Sequence, residues 1–216
     1  MRLSLIDAFD LNEAWRKCLK ECLTYGFDYR ISSGSTGTEG MWRKELDYVT
    51  VRVTQPKTRP LVPDVPEGIP PPTSQEYLEQ YLSYLLCDVV QPRETYTYGS
   101  YLEEQFLEGI RKYKQEGFDT NQICFTVGDK KSILLEDPPC LRIVDTRVRY
   151  GKLHFMVYFR SWDLWGGFPS NLGGLQLMKE MMAKELGAED GELIASSKGL
   201  HLYDNTWDYA RKIVYG

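Results

Sequence analysis

An α/β (α+β) fold, with a mixed, mainly antiparallel sheet and helices packed on one face, is what this sequence predicts. Several segments repeat apolar residues with the period of an amphipathic helix, others alternate as half-buried strands do, and "RYGK" joins the two longest strands as a hairpin. No shift in composition divides the 216 residues, 42% hydrophobic and 26% charged, so residues 1–216 are read as one domain with a core of ordinary size.

The first helix is expected from about Asp10 to Tyr25. "DLNE" sets a carboxylate cap before Glu13, and Ala14, Trp15, Cys18, Leu19, Cys22 and Leu23 repeat along one face until Gly26. "SSGSTGTEG" (Ser32 to Gly40) contains no GK[ST] and is no P-loop; it is a surface loop or, alternatively, a lid or phosphate contact. "LDYVTVRVT" alternates as a strand, after which seven of the eleven prolines fall between Pro56 and Pro72, a long loop within the domain. The capping box "TSQE" starts a second helix with Leu78, Tyr81, Leu82, Leu85 and Leu86 on its apolar face. A third follows "YTYGS", with Leu102, Phe106, Gly109, Ile110 and Tyr113 on one side, and "ICFTV" is a short strand.

Strands Cys140 to Arg149 and Lys152 to Arg160 meet at Tyr150 and Gly151, where glycine supplies the positive φ of a tight hairpin. With that turn, paired residue numbers sum to about 301, which sets Cys140 opposite Arg160 or Ser161. "NLGGLQLMKEMMAKELG" is an apolar helix ending at Gly187, "ELIASSKGLHLY" a last strand and "NTWDYARKIV" a final helix.

The net charge of −5 and the lack of a basic cluster argue against a nucleic-acid polymer as partner, and leave room for a small anion. The sequence contains no apolar run of membrane-spanning length, and its start turns polar too early for a signal peptide, which points to the cytoplasm and no membrane partner. Five cysteines, widely spaced and without a CxxC pair beside the two histidines, support neither zinc nor a disulfide framework, and no metal is expected.

One cysteine stands apart. In "DPPC" two prolines restrict the backbone that enters the strand at Cys140, and a guanidinium from Arg160 beside a thiol favours the thiolate nucleophile. On pattern alone a core thiol after an ordinary turn fits equally well.

"DPPC", "YFRSWDLWGGFPSN" and "GLHLYDN" resemble, in order and spacing, the active-site segments of thymidylate synthases, in particular the short archaeal-type forms. The resemblance runs from about Tyr96 to Asn205. It implies a thymidylate-synthase-like sheet, a homodimer formed through it, and a small-molecule nucleotide substrate. Cys140 would add to C6 of deoxyuridylate, turning C5 into a nucleophile toward the one-carbon unit of 5,10-methylenetetrahydrofolate or a modified tetrahydropterin. Arg160 and Ser161 would hold the phosphate. Asp163 would anchor base and pterin, and Asn171 would read the pyrimidine edge, its donor and acceptor suiting uracil where cytidylate hydroxymethylases carry an Asp. His201 and Tyr203 would bond the sugar 3′-hydroxyl, and Tyr98 would line the site. Glu79 corresponds to the glutamate that moves protons through water, or is a solvated helix-face residue.

The sequence also departs from the family. Asn121 and Gln122 stand where two arginines commonly reach the partner's phosphate; they remain neutral donors, and Arg30, Arg43, Arg93, Lys130 and Lys131 are candidate replacements. The sequence given continues for thirteen residues beyond Tyr203, short of the tail that closes over the cofactor in long forms. A dCMP or dUMP hydroxymethylase and a non-catalytic nucleotide-binding relative are the competing readings.

Overall fold

The computed structural model describes residues 1–32, 38–89 and 96–216. Ten strands and five helices follow in the order β1 (Leu3–Ala8), α1 (Leu11–Tyr25), β2 (Phe27–Arg30), β3 (Trp42–Leu46), β4 (Tyr48–Val53), α2 (Gln75–Leu86), α3 (Gly99–Glu116), β5 (Cys124–Thr126), β6 (Leu141–Arg149), β7 (Lys152–Phe159), β8 (Trp162–Asp163), α4 (Gly167–Leu186), β9 (Glu189–Ser197), β10 (Leu200–Tyr203) and α5 (Trp207–Tyr215) among those residues. They form not one sheet but two. The larger has the order β1-β4-β9-β7-β6-β5 and the smaller β2-β3-β10-β8. Five of the eight strand pairings are antiparallel, so both sheets are mixed.

Strand alternation explains why the helices gather on one face of the large sheet. Val49, Val51 and Val53 of β4, Leu193 and Ala195 of β9, and Phe155, Val157 and Phe159 of β7 are buried, and α1 and α4 pack over them. The opposite face carries Leu5, Ile143, Met156, Tyr158 and Ile194, partly or fully exposed. The helix caps follow the sequence closely. Asp10 accepts from the Glu13 amide at 2.8 Å, and the Glu13 carboxylate takes the Phe9 amide at 2.6 Å, one residue before the position a capping box uses. Ser74 caps α2 by accepting from Tyr77 N, and Gly187 ends α4 in the left-handed conformation at φ 64°.

Three element boundaries differ from expectation. "LDYVTVRVT" is divided at Asp47 between β3 and β4, which belong to different sheets. "ELIASSKGLHLY" is likewise two strands, because the Gly199 amide folds back onto Ser197 Oγ at 3.1 Å and breaks the run. Helix α4 starts at Gly167, four residues before the expected Asn171. Among the described residues no helix is long and apolar enough to cross a membrane.

Candidate active site

Two parallel strands leave the large sheet side by side. β7 and β9 pair as far as Phe159 with Ser197, and the chains resume pairing in the small sheet at Trp162 with Leu200, as β8 and β10. The steps between them are Arg160–Ser161 and Lys198–Gly199, and β6 begins at the same corner. The Tyr150–Gly151 turn, with φ 54° and 73°, sets the expected register. A bulge between Leu141 and Ile143 then moves the pairing by one, and the Arg160 amide donates to Cys140 O at 2.8 Å.

The prolines act through their carbonyls. Arg160 Nε donates to Pro138 O at 3.0 Å and Pro139 O at 3.2 Å, while Nη2 donates to Pro138 O and, at 2.9 Å, to Asp137 Oδ1. The guanidinium therefore braces the loop that delivers the half-buried Cys140. The expectation of an ionised Cys140 is corrected. Burial pushes the thiol above its ordinary value, and although Arg160 pulls it down, with a smaller pull from Arg43, burial prevails and Asp137 opposes the cations.

Tyr98 is buried just before α3 and accepts from the Leu141 amide at 3.2 Å, so it fixes the strand one residue beyond the thiol. Its ring also lines a cleft of about 610 Å³, whose walls include Tyr77, Tyr81, Tyr84 and Asn171. Tyr81 and Tyr84 stack at 5.6 Å, and Tyr84 meets Tyr98 edge-on at 5.2 Å. Cys140 itself is not among the lining residues.

Asn171 sits in the first turns of α4 with a fixed amide. Trp162 Nε1, which can only donate, bonds Oδ1 at 2.9 Å, and Nδ2 donates to Tyr81 OH at 2.6 Å. One N–H and one lone pair remain for a ligand. Asp163 accepts from the amides of Trp165, Gly166 and Gly167 at 3.2, 2.9 and 2.8 Å, which sets its carboxylate over the N-terminus of α4.

His201 and Tyr203 share a face of β10, with rings edge-on at 4.9 Å. The buried imidazole donates from Nδ1 to Gly199 O at 2.8 Å, and Nε2 is buried without a partner among the described residues. Burial, helped by Arg43 and opposed by the Gly199 carbonyl, holds its pKa down at about 3. The ring is neutral, so its 3.8 Å approach to Glu45 is not an ion pair. Arg43, across from Tyr203 on β3, donates to Tyr203 OH at 2.9 Å and to Tyr29 OH at 3.2 Å, while Tyr29 OH donates to Glu45 at 3.0 Å. Tyr203, accepting from Arg43, keeps its own proton for another partner.

The remaining candidates lie apart from this cluster. Glu79 is exposed on α2 and accepts from Gln75 at 3.4 Å; the same helix turns Tyr77, Gln80, Tyr81 and Tyr84 to the cleft instead. Asn121 and Gln122 are exposed before β5, and Ser161 is half-buried at the step between sheets. Lys130 and Lys131 are exposed, and Arg30 donates to Gly40 O at 3.0 Å. Arg93 and most of the Ser32 to Gly40 stretch lie outside the described residues. In the sequence Arg43 is one of five unplaced cations and Tyr81 only a member of the apolar face of α2, whereas Arg142 and Lys198 carry no signal there.

The profile of the family described as thymidylate synthase matches residues 105–215, which carry Cys140, Arg160, Asn171, His201 and Tyr203. The chain belongs to the thymidylate synthase family. It is 27% identical over 220 residues to a Methanosarcina barkeri protein described as "Putative thymidylate synthase", covering 98% of this chain and 95% of the relative. A Methanosarcina mazei protein with the same description is 28% identical over 221 residues, again covering 98% and 95%. A third, from Methanocaldococcus jannaschii, is 29% identical over 183 residues, covering 78% of this chain and 80% of the relative. In this thymidylate synthase family member, Arg43, Tyr81 and Tyr98 come from the part of the chain before the profile match.

Proposed function

We propose that this protein is a cytoplasmic thymidylate synthase that reductively methylates dUMP to dTMP, with residues 1–216 as one catalytic domain. The observation that carries the proposal is the corner where Cys140, paired to Arg160, stands next to the ladder that bears His201 and Tyr203. The Cys140 sulfur adds to C6 of the pyrimidine while its S–H proton passes to solvent water and the C5=C6 electron pair moves onto C4–O4 as the enolate that makes C5 nucleophilic; Arg160 is the group that lowers the cost of the developing thiolate. The free N–H and lone pair of Asn171 meet O4 and N3–H of uracil. A sugar 3′-hydroxyl donates to the orphaned Nε2 of His201 and accepts from Tyr203, which relieves a buried acceptor whose lack of a partner costs about 1–3 kcal/mol. Arg160 and Ser161 lie on the phosphate side, and Asp163 holds the helix start that aims Asn171.

The tyrosine-walled cleft beside Asn171 fits a flat fused heterocycle in size and chemistry. Tyr77, Tyr81, Tyr84 and Tyr98 would hold the tetrahydropterin, methylenetetrahydrofolate or a modified form, which supplies the carbon and the hydride when bound. A second copy covers the exposed apolar face of the large sheet around Leu5, Met156 and Ile194, away from the corner at Arg160, in a homodimer.

The test is incubation with 5-fluoro-dUMP and methylenetetrahydrofolate, read by intact mass, together with product analysis on dUMP. A covalent adduct in the wild type, absent in Cys140→Ala, and dTMP as product are expected. A hydroxymethyl product without oxidised pterin would make the protein a hydroxymethylase. Tight nucleotide binding with neither adduct nor product would make it a non-catalytic relative.

A further inference from the structure

Three cations converge at the corner where the strands change sheets. Lys198 follows the end of β9, Arg160 follows the end of β7, and Arg142 occupies the bulge at the start of β6, so they stand on three adjacent strands. Together they line a cavity of about 520 Å³ that Pro138, Gly128 and Tyr158 also border. The bulge matters here. It adds a residue opposite the Phe159–Tyr158 pair of β7, and Arg142 is that residue.

Gly128 makes room for the guanidinium. With φ at +83°, it would carry any Cβ to 2.9 Å from Arg142 Nη1 and 2.6 Å from Ser132 Oγ. Arg160 is already bound to Asp137 and the proline carbonyls. Arg142 and Lys198, by contrast, have no side-chain hydrogen bond or ion pair among the described residues. The single carboxylate among the lining residues, Asp129, accepts from the Lys131 amide at 2.8 Å and from Ser132 Oγ at 3.3 Å. Among the described residues the cavity thus holds more positive charge than is neutralised, two residues along the chain from Cys140.

We propose that Arg142 and Lys198, together with Arg160, form the subsite for the substrate's phosphate monoester. This rests on the nucleotide reading of Cys140 and sharpens it. A dianion needs several charge-assisted donors, and the fork of Arg142 beside the mobile ammonium of Lys198 offers both directional and point-charge contacts.

The experiment measures equilibrium binding of dUMP, 2′-deoxyuridine and 2-deoxyribose 5-phosphate to the full chain and to Arg142→Met, Lys198→Met and Arg142→Lys. Each Met variant should weaken both phosphorylated probes about ten-fold and leave deoxyuridine unchanged, and Arg142→Lys should recover most of the loss. The slope of log affinity against log salt should shrink for dUMP in both Met variants. Melting curves exclude the trivial case of a variant that does not fold, and Arg142→Lys then carries the test. Phosphate-probe affinities within two-fold of wild type, or an equal loss for deoxyuridine, would overturn the assignment. A wild type that binds deoxyribose 5-phosphate through Arg142 yet neither forms the adduct nor turns over dUMP would keep this subsite and remove the synthase reading. Turnover of dUMP with unchanged KM in both Met variants would do the reverse.

Discussion

Replacing Gly174 with alanine tests how the packing of α2 on α4 aims Asn171. A Cβ on Gly174 would stand 2.4 Å from Tyr81 Cδ1 and 3.3 Å from Leu85 Cδ1. Carbon atoms rest about 3.5 Å apart or more, so the ring must retreat by about 1 Å. The Asn171 Nδ2 to Tyr81 OH bond is 2.6 Å long. A retreat of that size stretches it past about 3.5 Å, where little bonding remains. For stability two effects compete: overpacking costs about 1–3 kcal/mol, while alanine in a helix interior contributes about 0.8–1.0 kcal/mol over glycine. The expected net loss is up to about 2 kcal/mol, or a fall in Tm of up to about 8 °C for a chain of this size. With one of its two anchors lost, Asn171 should cost about ten-fold in kcat/KM for dUMP. Melting curves and steady-state kinetics measure both, and Tyr81→Phe is the control that removes the hydroxyl without the clash. A Gly174→Ala protein that is more stable than wild type and keeps its kcat/KM would refute the reasoning.

Alkylation of Cys140 by iodoacetamide should be slow at neutral pH and rise only above the ordinary thiol range, because burial holds the sulfur protonated; Arg160→Met should move the profile higher still, and an unshifted profile would count against the Arg160 contact. His201, held at about 3 in the fold against 6.5 when unfolded, leaves the unfolded chain with the extra proton between those values. Its stabilising contribution is present above pH 6.5 and falls away below it, by up to about 1.4 kcal/mol per pH unit; denaturant titrations should show a flatter acid limb for His201→Gln, and an unchanged limb would contradict the burial. Lys179 is fully buried 3.5 Å from Asp190, and Lys179→Met should cost about 3–5 kcal/mol by stranding that carboxylate; a gain in stability by chemical denaturation would show the pair to be dispensable.

Local signals in the sequence anticipate the helices and the long hairpin well. "DLNE" and "TSQE" carry their caps in adjacent residues, and Tyr150–Gly151 sets a register that reaches the thiol with an offset of one residue. The first strand escapes notice because its outward positions are Leu3 and Leu5 while Ser4 is buried, the reverse of the usual alternation. The second sheet escapes because β8 has two residues and β10 four, too few for a period. In the site, Cys140 and Arg160 are legible as neighbours through the hairpin. Arg43 meets Tyr203, Tyr81 meets Asn171, and Lys198 joins Arg142 only through pairings distant in the chain. The net direction of the Cys140 shift is equally hidden, since residue order reveals a charged neighbour but not the depth at which the sulfur lies.

The parallel pairing of β8 with β10 joins Asp163 to His201, and the Leu164 amide continues it by donating to His201 O at 2.7 Å. The groups proposed for the base and for the sugar of a nucleotide are thereby mounted on a common strut. A truncated ligand that engages only the sugar side is therefore expected to order the start of the base-facing helix as well.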